Sequence, residues 1–351
     1  MCTHPGAGPV PLVVPEHLDA FIGERVPLEP VERVEITTLM DNSVDLLAAG
    51  APGVARSTFG ALPTRESGVF AQGNVVDGVV AEHGFSALVE VTTARGDRHR
   101  LLFDTGVSPD GMVENMRRLA VRPDGVEVVV CSHGHFDHTG GLDGLARALG
   151  GRANLPMVIH PEFWSRRRLA LPGRDPWEIP TPSRGALAGA GFEIHEQEHP
   201  SFLFDRSVLI TGEVPRTTEF ERGMIPHQAL RGGVWEPDPL ILDDQALIVR
   251  VRGRGLVILT GCGHAGIVNI TRYARALTGE SAVAAVVGGF HLTGASFEPV
   301  IAPTVDALAA CNPALVVPAH CTGWKAAAAL AGRLPEAFVA NSVGTRLELS
   351  A

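Results

Sequence analysis

The run Val128-Val129-Val130-Cys131-Ser132-His133-Gly134-His135-Phe136-Asp137-His138-Thr139-Gly140-Gly141 constrains the fold of this chain more than any other stretch. Three β-branched residues in succession suit a strand covered on both faces, and the polar, glycine-punctuated segment that follows cannot extend it. The chain therefore turns at about Ser132, at the end of a buried strand. Between positions 133 and 138 it then offers three imidazoles and one carboxylate, the nitrogen and oxygen ligands taken by zinc and other borderline divalent ions. Solvated loop histidines have no need of such close spacing; a metal site does.

Composition narrows what surrounds that site. With 351 residues the chain can bury a large core, and the expectation is an N-terminal arm at 1–32 followed by a single domain at 33–351. Hydrophobic residues at 45% and charged residues at 19% exclude general disorder. The 29 Lys and Arg against 39 Asp and Glu give a net charge of −10 with no basic block, which disfavours a nucleic-acid partner. Cys2, Cys131, Cys262, Cys311 and Cys321 are odd in number and scattered, so a secreted disulfide framework is not expected and a reducing cytoplasm is. Met1 to Pro15 has no basic segment followed by an apolar one, and no uncharged run reaches the length of a membrane span; a soluble protein without a membrane partner is expected.

Along the chain, residues 1–30 are rich in Pro and Gly, with a short helix expected near Glu16 to Ile22. Alternation predicts a strand over Val34 to Leu39 and a hairpin of Ser86 to Thr93 with His99 to Phe103 around Ala94-Arg95-Gly96-Asp97. Helices over Met112 to Leu119 and Leu142 to Leu149 bracket the strand Val126 to Cys131, and a strand at Met157 to His160 follows. Residues 171–185 and 222–240, broken by Pro and Gly, read as irregular loops and candidate pocket edges. The second half repeats the strand-to-ligand pattern. A hairpin, Ala246 to Val251 with Gly255 to Leu259, runs into Thr260-Gly261-Cys262-Gly263-His264; a strand at Ala282 to Val287 runs into Gly288-Gly289-Phe290-His291; and Leu315 to Val317 runs into Pro318-Ala319-His320. Helices are expected at Ile267 to Leu277, Thr304 to Ala310 and Lys325 to Ala331. This alternation argues for an α/β architecture with a mixed sheet whose strand ends converge on one edge.

The run His133-x-His135-x-Asp137-His138, preceded by Phe103-Asp104-Thr105-Gly106, resembles the signature of the metallo-β-lactamase-fold hydrolases. The runs Asp41-Asn42-Ser43, Gly212-Glu213-Val214-Pro215-Arg216, Thr260 to Asn269, Gly288 to Leu292 and His320-Cys321-Thr322-Gly323 are similar to the subfamily named dihydropterin-aminobenzene-phosphate synthase-like. The resemblance implies a four-layer αβ/βα sandwich with mixed sheets. It also implies two metals: the first two histidines on one, the Asp-His pair on the other, and the earlier aspartate orienting a ligand histidine. On this pattern His133, His135 and His264 form one ligand set, and Asp137, His138 and His320 the other, with Asp104 behind a ligand histidine. Cys262 stands where much of the superfamily has a bridging aspartate, so either it ligates as a thiolate or the two ions are held unequally.

His291 is a ligand or a substrate-facing acid, and either it or Asp137 would move the proton to a leaving group. His83 and Arg216 are candidate substrate contacts, Arg216 because a guanidinium suits phosphate or carboxylate. His160, His195, His199 and His227 match no motif and read as ordinary histidines. The cofactor expected is one or two Zn2+, with Mn2+ or Fe2+ as alternatives, and the partner a small-molecule substrate, phosphate-bearing or pterin-like; a homo-oligomer is compatible with the sequence. The leading expectation is hydrolysis of an ester-like bond, phosphoester before lactone or amide. The alternatives are a synthase or transferase joining a dihydropterin-like group to an aminobenzene-ribose phosphate, an iron-dependent redox enzyme, and a non-catalytic metal-binding protein.

Overall fold

In the computed structural model, residues 25–351 are described. The helix expected near Glu16 to Ile22 and most of the arm lie outside them. The first strand begins at Pro30, before the expected domain boundary, because the hydrophobic face of its first turn is already needed: Leu28 and Val31 are buried.

Among the described residues the main sheet has 14 strands. Its path runs Phe192–Glu196, Leu155–Ile159, Val128–Val130, Arg98–Phe103, Ser86–Thr93, Pro30–Met40, Leu247–Val251, Gly255–Thr260, Val283–Gly289, Leu315–Ala319. The halves join through a short parallel pairing of Pro30 with Arg250 and Val31 with Val251, and there the sheet folds back on itself. Period-two alternation then builds the layers. Val128 and Val130 point inward and share one core with Val89, Val257, Leu259, Val287 and Val317 from both halves. Val129, Leu88 and Leu102 point outward, onto Met112 and Met116 of the helix Gly111–Arg118 and Leu142 and Leu145 of the helix Leu142–Ala148. On the opposite side Leu256, Ile258 and Val286 meet the helices Ile267–Thr278, Ile301–Cys311 and Trp324–Arg333. Helix, sheet, sheet, helix is the four-layer αβ/βα sandwich. Each fully buried Val or Leu in it contributes about 1.5–3 kcal/mol.

The sheet is mixed. The hairpin Ser86–Thr93 with Arg98–Phe103 is antiparallel, whereas Arg98–Phe103, Val128–Val130 and Leu155–Ile159 run parallel, as do Gly255–Thr260, Val283–Gly289 and Leu315–Ala319. Each parallel set presents its carboxyl ends on one edge, the edge where open α/β sheets place ligands.

The two segments expected to be loops contain strands. Trp177–Ile179, Arg167–Leu169, His227–Arg231 and Val234–Pro237 form a separate four-stranded sheet. Gly232 and Gly233, at φ 56° and 84°, supply the two positive φ angles that a tight hairpin turn requires, a Gly-Gly signal between alternating runs that marks a hairpin in the sequence. Pro237 sits at the end of an edge strand, where a missing N–H costs little. No helix among the described residues is long and apolar enough to cross a membrane.

Candidate metal centre

Asp104 ends the strand Arg98–Phe103 in a left-handed conformation, φ 56°. Its carboxylate accepts from the Ser132 N–H at 2.7 Å, from Ser132 Oγ at 2.7 Å and from His138 Nδ1 at 2.7 Å. With Nδ1 engaged, His138 turns Nε2 outward, to 3.2 Å from Cys262 Sγ. The turn carrying His133 and His135 is possible because position 134 is glycine: a Cβ there would lie 2.2 Å from the Phe163 carbonyl oxygen. The short helix Phe136–Thr139 then carries the adjacent Asp137 and His138, both buried.

From the other half come His264, His291 and His320. His291 and His320 adopt left-handed φ of 44° and 46°, each costing about 1–3 kcal/mol for a residue with a Cβ. For His320 the surroundings impose it: its N–H donates to Asp41 Oδ1 at 2.7 Å and its Nδ1 meets Asn42 Oδ1 at 2.9 Å, leaving Nε2 3.3 Å from Asp137 Oδ2.

The donor atoms collect into overlapping groups, each within 4.8 Å: Asp137, His138, Cys262 and His320; His133, Cys262 and His264; Cys262, His291 and Cys321. Cys262 belongs to every one. His135 lies one step outside, with Nδ1 3.0 Å from His133 Nε2 and its ring 5.0 Å from that of His264. His83 stands exposed at the rim, Nε2 3.9 Å from Asp137 Oδ2 and its ring 4.8 Å from that of His320. Arg216 is placed differently from the expectation of a substrate-facing guanidinium. It is buried and donates to the backbone carbonyls of Val214 and Leu240, so its fork closes a loop instead of facing the histidines.

Two features of the site were not anticipated from the sequence. His227, read as an ordinary histidine, is fully buried with Nε2 3.1 Å from His135 Nε2. Asp243 accepts from the Gly134 N–H at 2.8 Å and Asp244 from the Ala265 N–H at 2.8 Å, so adjacent acids brace both histidine loops. A pair of acids directly ahead of an apolar strand was the visible hint.

These residues suit a divalent ion by their own chemistry. Nε2 of His264 and of His320 are buried without a hydrogen-bond partner, an arrangement that costs free energy unless something accepts the lone pair. Burial first, then neighbouring imidazoles, hold His133, His135 and His264 well below the ordinary histidine value, so they are neutral and ready to ligate. For Asp137 burial pushes up, but His138 and His320 outweigh it and hold the carboxyl well below its usual range. His138 is also pushed down by burial, yet Asp104 and Asp137 raise it to about 9. Burial raises the Cys262 thiol.

The upward shifts of His138 and Cys262 set the direction of the pH dependence of metal binding. An ion that takes His138 must displace its proton, and one that also takes Cys262 must displace a second. From pH 7 to pH 8 the affinity for Zn2+, measured by chelator competition, is expected to rise about tenfold for each proton released. A slope near two is the result for thiolate ligation; a slope near one leaves Cys262 protonated, and no slope contradicts displacement at His138.

A family model described as Metallo-beta-lactamase superfamily matches residues 81–277. Two proteins of Methanocaldococcus jannaschii are similar. One, named 7,8-dihydropterin-6-methyl-4-(beta-D-ribofuranosyl)-aminobenzene-5'-phosphate synthase, is 28% identical over 256 residues, 70% of this chain and 83% of its own. The other, uncharacterized, is 32% identical over 251 residues, 70% of this chain and 86% of its own. Among solved structures, one described as a metal-dependent hydrolase of the beta-lactamase superfamily superposes with a TM-score of 0.67 at 26% identity, over 91% of this chain and 100% of that one.

Proposed function

This chain belongs to the metallo-beta-lactamase superfamily, and from that premise we propose that its histidine-lined centre hydrolyses an ester-like bond of a small molecule, a phosphoester before a lactone or amide. The observation that carries the reading is the sharing of Cys262 between two donor groups, one with Asp137, His138 and His320 and the other with His133 and His264. A divalent ion held by such groups would supply Lewis acidity and lower the pKa of a water bound to it to about 7. A thiol in the set favours zinc or iron over manganese, and zinc is our first choice.

The chain's own residues divide the remaining work. Asp137 stays ionised, so it orients and accepts rather than donating. His291 is then the better proton donor to a leaving group: it is partly exposed, its ring lies 4.1 Å from that of His264, and its Nδ1 has no hydrogen-bond partner. His83 at the rim contacts the substrate. Beside His264 and His291 lies a cavity of about 160 Å³ walled by Phe220, Ile225, Phe290, Phe297 and Val300. Pockets for drug-sized ligands run to roughly 300–1,000 Å³, so this one suits a single compact apolar group. All four cysteines among the described residues are free, in keeping with a reducing cytoplasm.

A second reading, a synthase acting on a pterin-like and an aminobenzene-phosphate substrate, draws support from the name of the 28% identical relative and from the aromatic walls of this cavity. Elemental analysis of protein purified without added metal, followed by assay on aryl phosphoester, lactone and anilide substrates, tests the first reading. The expected result is close to two ions per chain and phosphoester turnover that chelation abolishes. Turnover only when two substrates are supplied selects the synthase, and protein that never carries metal overturns both.

A further inference from the structure

We propose that His227, on the separate four-stranded sheet, is the positioning residue that fixes the tautomer of His135 and so builds the His133 side of the centre. The inference rests on the metal reading above. His135 Nδ1 faces His133 Nε2 at 3.0 Å, and His135 Nε2 faces His227 Nε2 at 3.1 Å. A neutral imidazole carries one N–H, and two ring nitrogens 3.1 Å apart need one hydrogen between them. For His135 to offer the Nδ1 lone pair toward the centre, its hydrogen sits on Nε2 and His227 Nε2 accepts it. His227 then carries its own hydrogen on Nδ1, which has no hydrogen-bond partner but lies 3.9 Å from Asp238 Oδ2, a carboxylate whose charge favours the hydrogen on that side of the ring. Each ring has one consistent state.

What holds His227 in place extends well beyond one contact. Its N–H donates to the Met224 carbonyl at 3.0 Å, and its own carbonyl accepts from the Asp238 N–H at 2.9 Å. Asp238 accepts from Arg167 Nε at 2.9 Å, while the same guanidinium meets Asp243 at 2.6 Å. Asp243 in turn holds the Gly134 N–H, between His133 and His135. A buried arginine on the small sheet thus braces the histidine turn twice, through its backbone and through the His135 ring. The function of the small sheet, on this reading, is to supply one hydrogen-bond acceptor that the main sheet lacks.

The test compares Zn2+ binding by chelator competition in the full chain and in the variants His227→Phe and His227→Gln, with the melting temperature of each metal-free protein alongside. Phe fills the space without an acceptor; the Gln amide oxygen accepts from His135. Partners of this kind are worth about 10–100-fold in metal affinity. The expected result is a loss of that size for one ion in His227→Phe and recovery to within a few fold of wild type in His227→Gln. In Co2+-loaded protein the visible band should shift in the Phe variant alone. Equal affinity in all three proteins overturns the proposal, as does an equal loss in both variants with unchanged melting temperatures. Loss of a whole ion in both would make His227 a ligand and also overturn it. Absence of metal from wild type would instead sink the metal reading on which the inference stands.

Discussion

Replacing His138 by alanine is expected to lower phosphoester turnover at least about 10³-fold and to release one of the bound ions. The size follows from what a Lewis-acidic ion contributes at developing charge, several kcal/mol, where each 1.36 kcal/mol is a factor of ten. His138 reaches from one half of the site to the other: Nδ1 is held by Asp104 at 2.7 Å and Nε2 stands 3.2 Å from Cys262 Sγ. Its removal also leaves the fully buried Asp104 carboxylate with only the Ser132 N–H and hydroxyl as partners, so a lowered melting temperature is expected as well. His320→Ala gives a second variant in which Asp104 keeps all of its partners, and what it loses is the contact of His320 Nδ1 with Asn42 Oδ1 at 2.9 Å. Activity within tenfold of wild type in one of these variants, with ion content unchanged, would remove that residue from the centre.

Replacing Arg167 by leucine is expected to destabilise the protein by about 3–5 kcal/mol, the cost of breaking a buried charge cluster by deleting one partner. The guanidinium is 2% exposed and faces Asp238 and Asp243, which are 5% and 0% exposed. The pH dependence gives the prediction its sign. In wild type, burial pushes Asp238 up but His227 and Arg167 outweigh it, holding the carboxyl below its usual range. That contribution is present above the unfolded carboxylate value of about 3.9 and is lost as pH falls through the lower folded value. Without Arg167 the buried acids become harder to ionise, so stability would fall as pH rises from about 4 toward neutrality. Urea unfolding at pH 5 and pH 7 should therefore show the variant weakest at pH 7. A loss below about 1 kcal/mol at both values would show that the cluster relaxes or hydrates and braces nothing.

Most of the strands and helices that carry the site were legible from local pattern, since period-two and helical alternation report which face is buried. The hairpin expected at Ser86 to Thr93 and His99 to Phe103 forms as Ser86–Thr93 and Arg98–Phe103, and the helices expected at Leu142 to Leu149 and Ile267 to Leu277 form within a residue of those limits. Segments 171–185 and 222–240 were not legible as strands, because prolines that look like breakers in isolation are tolerated at the edges of a small sheet. Missing that sheet meant missing His227, whose only signal is spatial. Arg216 was misleading for the opposite reason: a motif position says where a residue sits in the chain, whereas burial and two carbonyl acceptors decide what its guanidinium does.

The sequence by itself determined that this chain is an α/β protein and that a cluster of three imidazoles and a carboxylate follows a buried strand, since both are matters of local periodicity and residue chemistry. Only the tertiary structure decided which donors meet. Cys262 and His320 come to lie beside His138 and Asp137 because the folded-back sheet superposes the strand ends of its two halves, and that distance depends on intersheet packing among Val130, Leu259, Val287 and Val317. Donors separated by more than a hundred residues are brought within 4.8 Å by a core that contains no ligand at all, and no local pattern in the chain encodes that separation.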